Sequence, residues 1–562
     1  MQKRYLKGYS PLLWIIPVIF LGVFLFLPLF SIFNLAVQSA SRGIAEIDWS
    51  RVWNTLGFTI WQATLSALLT ILVGLPAAFL FGRFVFPSKK VLRILATLPF
   101  ILPTVVVAAG FNALIGPNGW LNLVVMQFFH LSQPPIQILN SIYAILLAHV
   151  FYNTAVVIRT VGAALEHMDS RLEEVSRTLG ASPWQSFWKI TFPLLRPALA
   201  SATLLVFLFD FTSFGVILLL GGPQFATLEV EIYYQTVQLL NLPFAAILSV
   251  IQMVCTLILT VMILRGGGGV AVPVASHTQS NISKSMHSWK EKMFVMGMVT
   301  ILVILLVFPL GALTLRSVTK TTIDSNGSES LSPTLTLDYY QELFVNRRGS
   351  VFYVPPVEAL RNSLLYASAA TIIAIIIGGL ASYALMQKNQ INFLFDPLLM
   401  LPLGTSAVTL GLGFIVTLAL LPNSRDFYPF LIPVAHSLVA LPFVVRVIQP
   451  ALASIPNSLK QAAATLGAAP LMVWFKVELP IIARAVAVAA LFAFSISLGE
   501  FGATSFLSRP DLPTLPIAIS RFLNLPGSLN YGQALALATI LMFVCALVMI
   551  LVDLFNVRTE MN

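Results

Sequence analysis

The side chains best placed to do chemistry in this 562-residue sequence are the few ionisable ones that interrupt long apolar runs. Asp210 lies in Phe-Asp-Phe-Thr-Ser-Phe-Gly, Glu500 lies in Leu-Gly-Glu-Phe-Gly, and His149 and His436 each follow an Ala. A carboxylate in apolar surroundings is expensive. It marks either a site that neutralises a cation in passage or a group satisfied by neighbouring Ser, Thr or backbone donors. The histidines divide in the same way, between a proton relay and hydrogen-bonded packing. Covalent, metal and nucleotide chemistry lack a comparable foothold. The sequence has no nucleophile elbow, no His/Asp/Glu set at metal-ligand spacing and no Gly-x4-Gly-Lys-Ser/Thr phosphate loop. Cys255 and Cys545 sit in apolar runs and read as small buried hydrophobes.

A second kind of signal is a patterned polar segment that occurs twice. One copy reads Arg171-Leu-Glu-Glu-Val-Ser-Arg-Thr-Leu-Gly180-Ala-Ser-Pro-Trp-Gln-Ser-Phe-Trp-Lys-Ile190-Thr-Phe-Pro193. The other reads Leu459-Lys-Gln-Ala-Ala-Ala-Thr-Leu-Gly467-Ala-Ala-Pro-Leu-Met-Val-Trp-Phe-Lys-Val477-Glu-Leu-Pro480. In each, a helical stretch stops at Gly, a residue suited to a left-handed helix end. A second helix starts with Pro183 or Pro470 in its first turn and stops at Pro193 or Pro480. Two short helices joined by a tight elbow make a compact knob, and a knob repeated once per half suits docking on a two-fold symmetric partner. Trp184, Phe187 and Trp188 also suit the alternative, helices lying among lipid headgroups.

The elements that position these groups follow from composition. Only 10% of the residues are charged and 58% are hydrophobic, with mean hydropathy +0.89, whereas soluble chains run about 25% charged. This is an integral membrane protein of the all-α polytopic class. Uncharged stretches give twelve spans. In the first half they are Pro11 to Phe33, Leu56 to Phe81, Ile94 to Ile115, Leu139 to Ile158, Pro197 to Leu220 and Phe244 to Leu264. In the second they are Phe294 to Leu315, Asn362 to Leu385, Pro397 to Leu421, Pro429 to Val445, Ala485 to Leu507 and Gln533 to Val552. The first apolar run is too long for a signal-peptide core and reads as a retained span. With both termini cytoplasmic, 22 of the 32 Lys and Arg fall on the inner side, as the positive-inside rule requires. The net charge of +10 therefore reflects inner loops, and without a basic stripe interleaved with aromatics it implies no nucleic acid. Between the halves, Gly266 to Gly269 opens a small, polar cytoplasmic linker; no strand precedes it and no Lys-Ser/Thr follows it. The organisation is a first repeat at 1–265 with its knob at about 166–196, a linker at 266–292, and a second repeat at 293–562 with its knob at about 453–483.

The halves are copies. An offset of 287 residues, 467−180, pairs Gly180 with Gly467, His149 with His436, Arg159 with Arg446, Lys189 with Lys476, Pro193 with Pro480, Phe214-Gly215 with Phe501-Gly502 and Ile232 with Ile519. Apolar composition alone does not align Gly, Pro, His and Arg without a gap. Six spans is an even number, so the repeats are parallel and related by a pseudo-two-fold axis along the membrane normal, and a pathway belongs at their interface. The same offset takes Glu500 to Ser213, so the two acids are not equivalent, and Asp210, Ser213 and Glu500 are the pathway candidates.

The spacing Glu174, Gly180, Ile190, Pro193, echoed by Gln461, Gly467, Val477, Pro480, resembles the coupling loop of ABC importer permeases, E-A-A-x3-G-x9-I-x-L-P. By that resemblance Glu174, Gly180, Ala181, Ile190 and Pro193, and Gln461, Gly467, Ala468, Val477 and Pro480, contact a cytoplasmic ABC ATPase dimer. Gln461 lacks the charge to form an ion pair there, and Val175-Ser176 replaces the two alanines. The stretches Phe58 to Leu69, Leu146 to Asn153 and Leu220 to Tyr233 look like those of the fused thiamine and ferric-iron permease group, over essentially the whole chain. The resemblance implies two parallel six-helix repeats in the cell inner membrane, surrounded by lipid. It further implies an extracytoplasmic substrate-binding protein, ATP and Mg on the ATPase only, no cofactor on this chain, and thiamine or ferric iron as the solute. An acidic residue before Phe-Gly also occurs in sulfate and molybdate permeases, so Glu500 alone does not specify a cation. The alternative is an ion-coupled secondary transporter with duplicated halves, which would need no ATPase.

Overall fold

The computed structural model describes residues 10–42, 47–169, 171–265, 288–323, 329–346, 354–386, 390–420 and 424–557. The first half runs α1 (Leu13–Ser41), α2 (Trp49–Arg83), α3 (Lys89–Phe100), α4 (Thr104–Phe129) and α5 (Ile142–Glu166). It continues through α6 (Arg171–Thr178), α7 (Pro183–Phe211), α8 (Gly215–Leu220), α9 (Leu228–Tyr233) and α10 (Leu242–Ile263). The second half repeats the order with α11 (Trp289–Ser317), α12 (Glu358–Leu385), α13 (Phe395–Pro402), α14 (Ala407–Leu418) and α15 (Tyr428–Ala453). Then come α16 (Asn457–Thr465), α17 (Pro470–Gly499), α18 (Gly502–Leu507), α19 (Leu515–Leu523) and α20 (Ser528–Val552). An antiparallel hairpin of β1 (Thr319–Ile323) and β2 (Glu329–Leu335) follows α11.

Among the described residues ten helices are long and apolar enough to cross a bilayer, and counting each of two bent pairs as one span gives twelve. The third span, read as continuous from Ile94 to Ile115, is broken instead: α3 and α4 meet at 110°, where Pro103 stands just before the new helix and cannot continue the old one. The ninth bends by 92° between α13 and α14, where the Ser406 hydroxyl caps α14 by accepting from the Thr409 N–H at 3.0 Å. The fifth and eleventh are also split, α7 from α8 and α17 from α18. Backbone freed at such breaks must find partners inside the protein. The N–H of Leu228 at the start of α9 donates to Thr59 Oγ1 (3.0 Å), and that of Leu515 at the start of α19 donates to Ser363 Oγ (2.7 Å). The linker residues 266–287 lie outside the described residues, as do Lys3, Arg4, Lys7, Lys284, Lys388 and Arg558 of the basic count. The helix after the linker starts at Trp289, on a Ser288–Glu291 capping box, before the Phe294 read from hydropathy.

The leading helix of each half packs on the other half. α1 lies against α12 and α14, and α11 lies against α4. Trp14 stacks on Phe395 at 4.6 Å and Thr417 hydrogen-bonds Ser31 at 3.2 Å. Glycine permits both crossings: a Cβ on Gly413 would sit 2.8 Å from Pro28 Cβ, and one on Gly110 would sit 3.0 Å from the Pro309 carbonyl oxygen. One large apolar cluster therefore spans both halves, flanked by one cluster on α2, α5 and α7 and another on α12, α15 and α17. Outward faces stay apolar, as at Leu68, Leu72, Ile372 and Ile376, which suits contact with lipid.

Candidate functional site

The two knobs share one construction. At the end of α6 the Gly180 N–H donates to Arg177 O (3.0 Å) and the Ala181 N–H donates to Ser176 O (3.0 Å). At the end of α16, Gly467 donates to Ala464 O (3.1 Å) and Ala468 to Ala463 O (3.1 Å). These are paired Schellman bonds, and they need a left-handed residue at the glycine; the φ values are +89° and +79°. Ser182 and Gln185 close a capping box at the start of the next helix. That helix does not stop at Pro193 or Pro480. It continues into the membrane as α7 and α17, because a wide π-type turn at Phe187–Thr191 and at Trp474–Glu478 accommodates the proline ring and its missing N–H. The second helix of each knob is thus the end of a span.

Of the residues identified from spacing, Glu174, Gly180, Gln461, Gly467 and Pro480 are exposed, whereas Ala181, Ile190, Pro193, Ala468 and Val477 are half-buried against the knob's own helices. The tips are apolar: Leu179 is 82% exposed and its counterpart Leu466 is 88% exposed, beside Trp184 and Leu471. Exposed leucines on a polar elbow mark an interaction surface.

Spacing missed the straps that hold the knobs. The Glu173 carboxylate accepts from Arg83 Nη2 (2.6 Å), at the end of α2, and from Thr191 Oγ1 (2.5 Å). The equivalent positions hold Lys460 and Glu478, 2.9 Å apart, with Glu478 buried. The link between the two helices of the knob therefore recurs with its acid on the opposite helix, which a search for identical residues cannot see. Lys460→Glu should leave a buried carboxylate facing another, a loss of about 3–5 kcal/mol. Thermal melting of the purified chain should drop for Lys460→Glu and recover in Lys460→Glu/Glu478→Lys.

The breaks after α7 and α17 bring the intramembrane acids together with the histidines. Asp210 is fully buried; its Oδ1 accepts from Asn153 Nδ2 (2.6 Å) and lies 3.3 Å from His149 Nδ1. The same imidazole hydrogen-bonds Ser66 Oγ and, through Nε2, Ser213 Oγ, both at 2.9 Å. Glu500 caps α18, accepting the N–H of Ala503 (2.8 Å) and of Thr504 (3.1 Å) and the Thr504 hydroxyl (2.6 Å). His436 Nε2 is 3.1 Å from Glu500, and its Nδ1 is 2.7 Å from Ser497 Oγ. The 287-residue offset takes Asp210 to Ser497 and Ser213 to Glu500. Each half therefore holds one His–carboxylate–Ser clasp around its break, with acid and hydroxyl exchanged between the two positions. In this conformation both carboxylates and both histidines are engaged within their own half.

The seam between the halves is aromatic. Phe214 and Phe501, equivalent by the offset, stack on each other at 5.4 Å across the pseudo-two-fold axis. Tyr233 packs edge-on to Phe214 (5.4 Å) and to Phe506 (5.7 Å). One turn before Tyr233, the fully buried Glu229 accepts from Gln252 of its own half and from Ser406 Oγ of the other at 2.9 Å. Glu231 instead pairs with Arg51 at 2.8 Å. Hydropathy missed both acids because they lie between the fifth and sixth apolar runs. The alternation Leu-Glu-Val-Glu-Ile was the available signal. Among the described residues no three His, Cys, Asp or Glu group to hold a metal ion.

Comparison with known proteins places this architecture. Over 530 residues the chain is 27% identical to the thiamine transport system permease protein ThiP of Brucella abortus (strain 2308), covering 92% of this chain and 91% of that one. Over 534 residues it is 26% identical to ThiP of Escherichia coli (strain K12), covering 91% and 92%. The crystal structure of a bacterial alginate ABC transporter, in complex with alginate pentasaccharide-bound periplasmic protein, aligns with 47% of this chain and 93% of that one, at TM-score 0.38 and 19% identity. The profile described as binding-protein-dependent transport system inner membrane component matches twice, at residues 71–267 and 360–561. With both matches together covering more than half of its length, the chain belongs to that family, as a fused, multi-pass inner-membrane permease.

Proposed function

We propose that this chain carries both permease halves of an ABC importer, driven by a separate cytoplasmic ATPase dimer, fed by an extracytoplasmic binding protein, and carrying thiamine. The observation that carries the reading is the pair of apolar-tipped knobs, one per half, each continuous with a span. ATP and Mg belong to the ATPase, both termini are cytoplasmic, and the repeats are 1–265 and 293–562 joined by the 266–292 linker. Closure of the ATPase dimer draws the knobs together through Leu179 and Leu466, the contacts around Glu174, Gly180, Ala181, Ile190 and Pro193, and their counterparts Gln461, Gly467, Ala468, Val477 and Pro480. Because α7 and α17 run unbroken from knob to clasp, that movement reaches Asp210, Ser213 and Glu500 and parts the seam between the halves. Thiamine is favoured by relatives that are themselves named thiamine permeases and match over nine-tenths of their length.

The test is uptake into proteoliposomes holding the chain, the ATPase and the binding protein encoded beside it. Labelled thiamine should accumulate only with ATP and binding protein. Accumulation of ferric iron but not thiamine would overturn the substrate, and thiamine uptake driven by an ion gradient without ATP would overturn the class.

A further inference from the structure

The aromatic seam has a chemistry that the coupling account does not use. Four rings, Phe214, Tyr233, Phe501 and Phe506, converge from both halves with centroid separations of 5.4–5.7 Å. Phe214 and Phe501 each occupy the residue just before a short helix, α8 and α18. Glu229 lies one turn from Tyr233 and bridges to the other half through Ser406. Among the described residues it has hydrogen-bond donors for partners, whereas neighbouring Glu231 is neutralised by Arg51.

π-Faces attract organic cations within about 6 Å of the ring centroid, and the buried Glu229 carboxyl, held by Gln252 and Ser406, adds a hydrogen-bonding group beside them. The quartet offers a trivalent metal ion far less, since its only oxygen donor is the Tyr233 hydroxyl and hard cations require several. Once Phe214 and Phe501 part by roughly another 3.5–4 Å, one aromatic contact distance, a planar ring can take the place that each phenylalanine now gives the other.

We propose that Phe214, Tyr233, Phe501 and Phe506, backed by Glu229, form the transit site for an aromatic organic cation, closed here by the Phe214–Phe501 stack. This rests on the importer reading above and adds where the solute sits and which chemical class passes. Thiamine, with two aromatic rings and one fixed positive charge, is the probe.

In the reconstituted complex, thiamine taken up per ATP hydrolysed should fall about tenfold in Phe214→Leu, Phe501→Leu and Tyr233→Leu. It should stay within about twofold of wild type in Phe214→Tyr and Phe501→Tyr, which keep a π-face of similar strength. Leucine variants with an unchanged ratio, or tyrosine variants as poor as the leucine ones, would overturn the site. A second measurement needs no transport: millimolar thiamine should raise the melting temperature of the purified wild-type complex by mass action, and raise that of Phe214→Leu less. That shift without wild-type uptake would sink the thiamine-importer reading and keep the site, whereas no shift, or equal shifts in both, would sink the site.

Discussion

A chain carrying Gly180→Val and Gly467→Val should insert and fold, yet lose about 100-fold in binding-protein-stimulated ATP hydrolysis, a factor of ten per knob for each ~1.4 kcal/mol of docking free energy lost. Both glycines sit at φ near +80 to +90°, where an L-residue costs roughly 1–2 kcal/mol and a β-branched one more. The knob escapes that strain by unwinding the Schellman turn, which displaces Leu179 or Leu466. Both glycines are exposed and open space surrounds their Cβ positions, so the damage falls on the shape of the elbow and not on the core. Gly180→Asn/Gly467→Asn, whose side chain tolerates the left-handed region, should retain most activity. Equal losses for valine and asparagine would show that side-chain bulk at the interface, and not backbone conformation, is what matters.

The exchanged clasps make the second large prediction. Ser213→Glu alone puts a second carboxylate beside His149, next to the fully buried Asp210. An uncompensated charge there costs about 3–5 kcal/mol, so expression and melting temperature should fall sharply and uptake with them. Asp210→Ser/Ser213→Glu rebuilds in the first half the Ser-x-x-Glu arrangement of Ser497 and Glu500. The first turn of α8 then offers the N–H groups of Val216 and Ile217 where α18 uses Ala503 and Thr504. The double variant should recover at least half of the lost melting temperature and uptake. Failure of the double variant to improve on Ser213→Glu would mean that the clasps are not interchangeable.

What the residues reveal by themselves is uneven, for physical reasons. The 287-residue offset and the glycine elbows were legible because left-handed turns and prolines restrict residue type. The twelve apolar runs were legible because lipid demands them, but hydropathy carries no information about direction. It could not show that the third and ninth spans bend by 110° and 92°, or that the knob helices pass through Pro193 and Pro480. The crossing of α1 and α11 to the opposite halves leaves no local mark beyond Gly110 and Gly413. The charge-reversed strap and the exchanged clasps escaped because they conserve an interaction while moving its residues, and Glu229 escaped because it sits outside the apolar runs. Asp210, Glu500, His149 and His436 were recognisable as costly, but the donors that satisfy them come from helices far away in sequence.

The most direct test of coupling is site-specific cross-linking at the knob tips. With Leu179→Cys and Leu466→Cys in separate chains, and matched cysteines scanned along the surface of the ATPase subunit, each position should capture one ATPase subunit. Nucleotide should change the yield at both positions together. A chain that purifies free of the ATPase, cross-links at neither tip and still accumulates solute on an ion gradient would contradict the account and make this a secondary transporter.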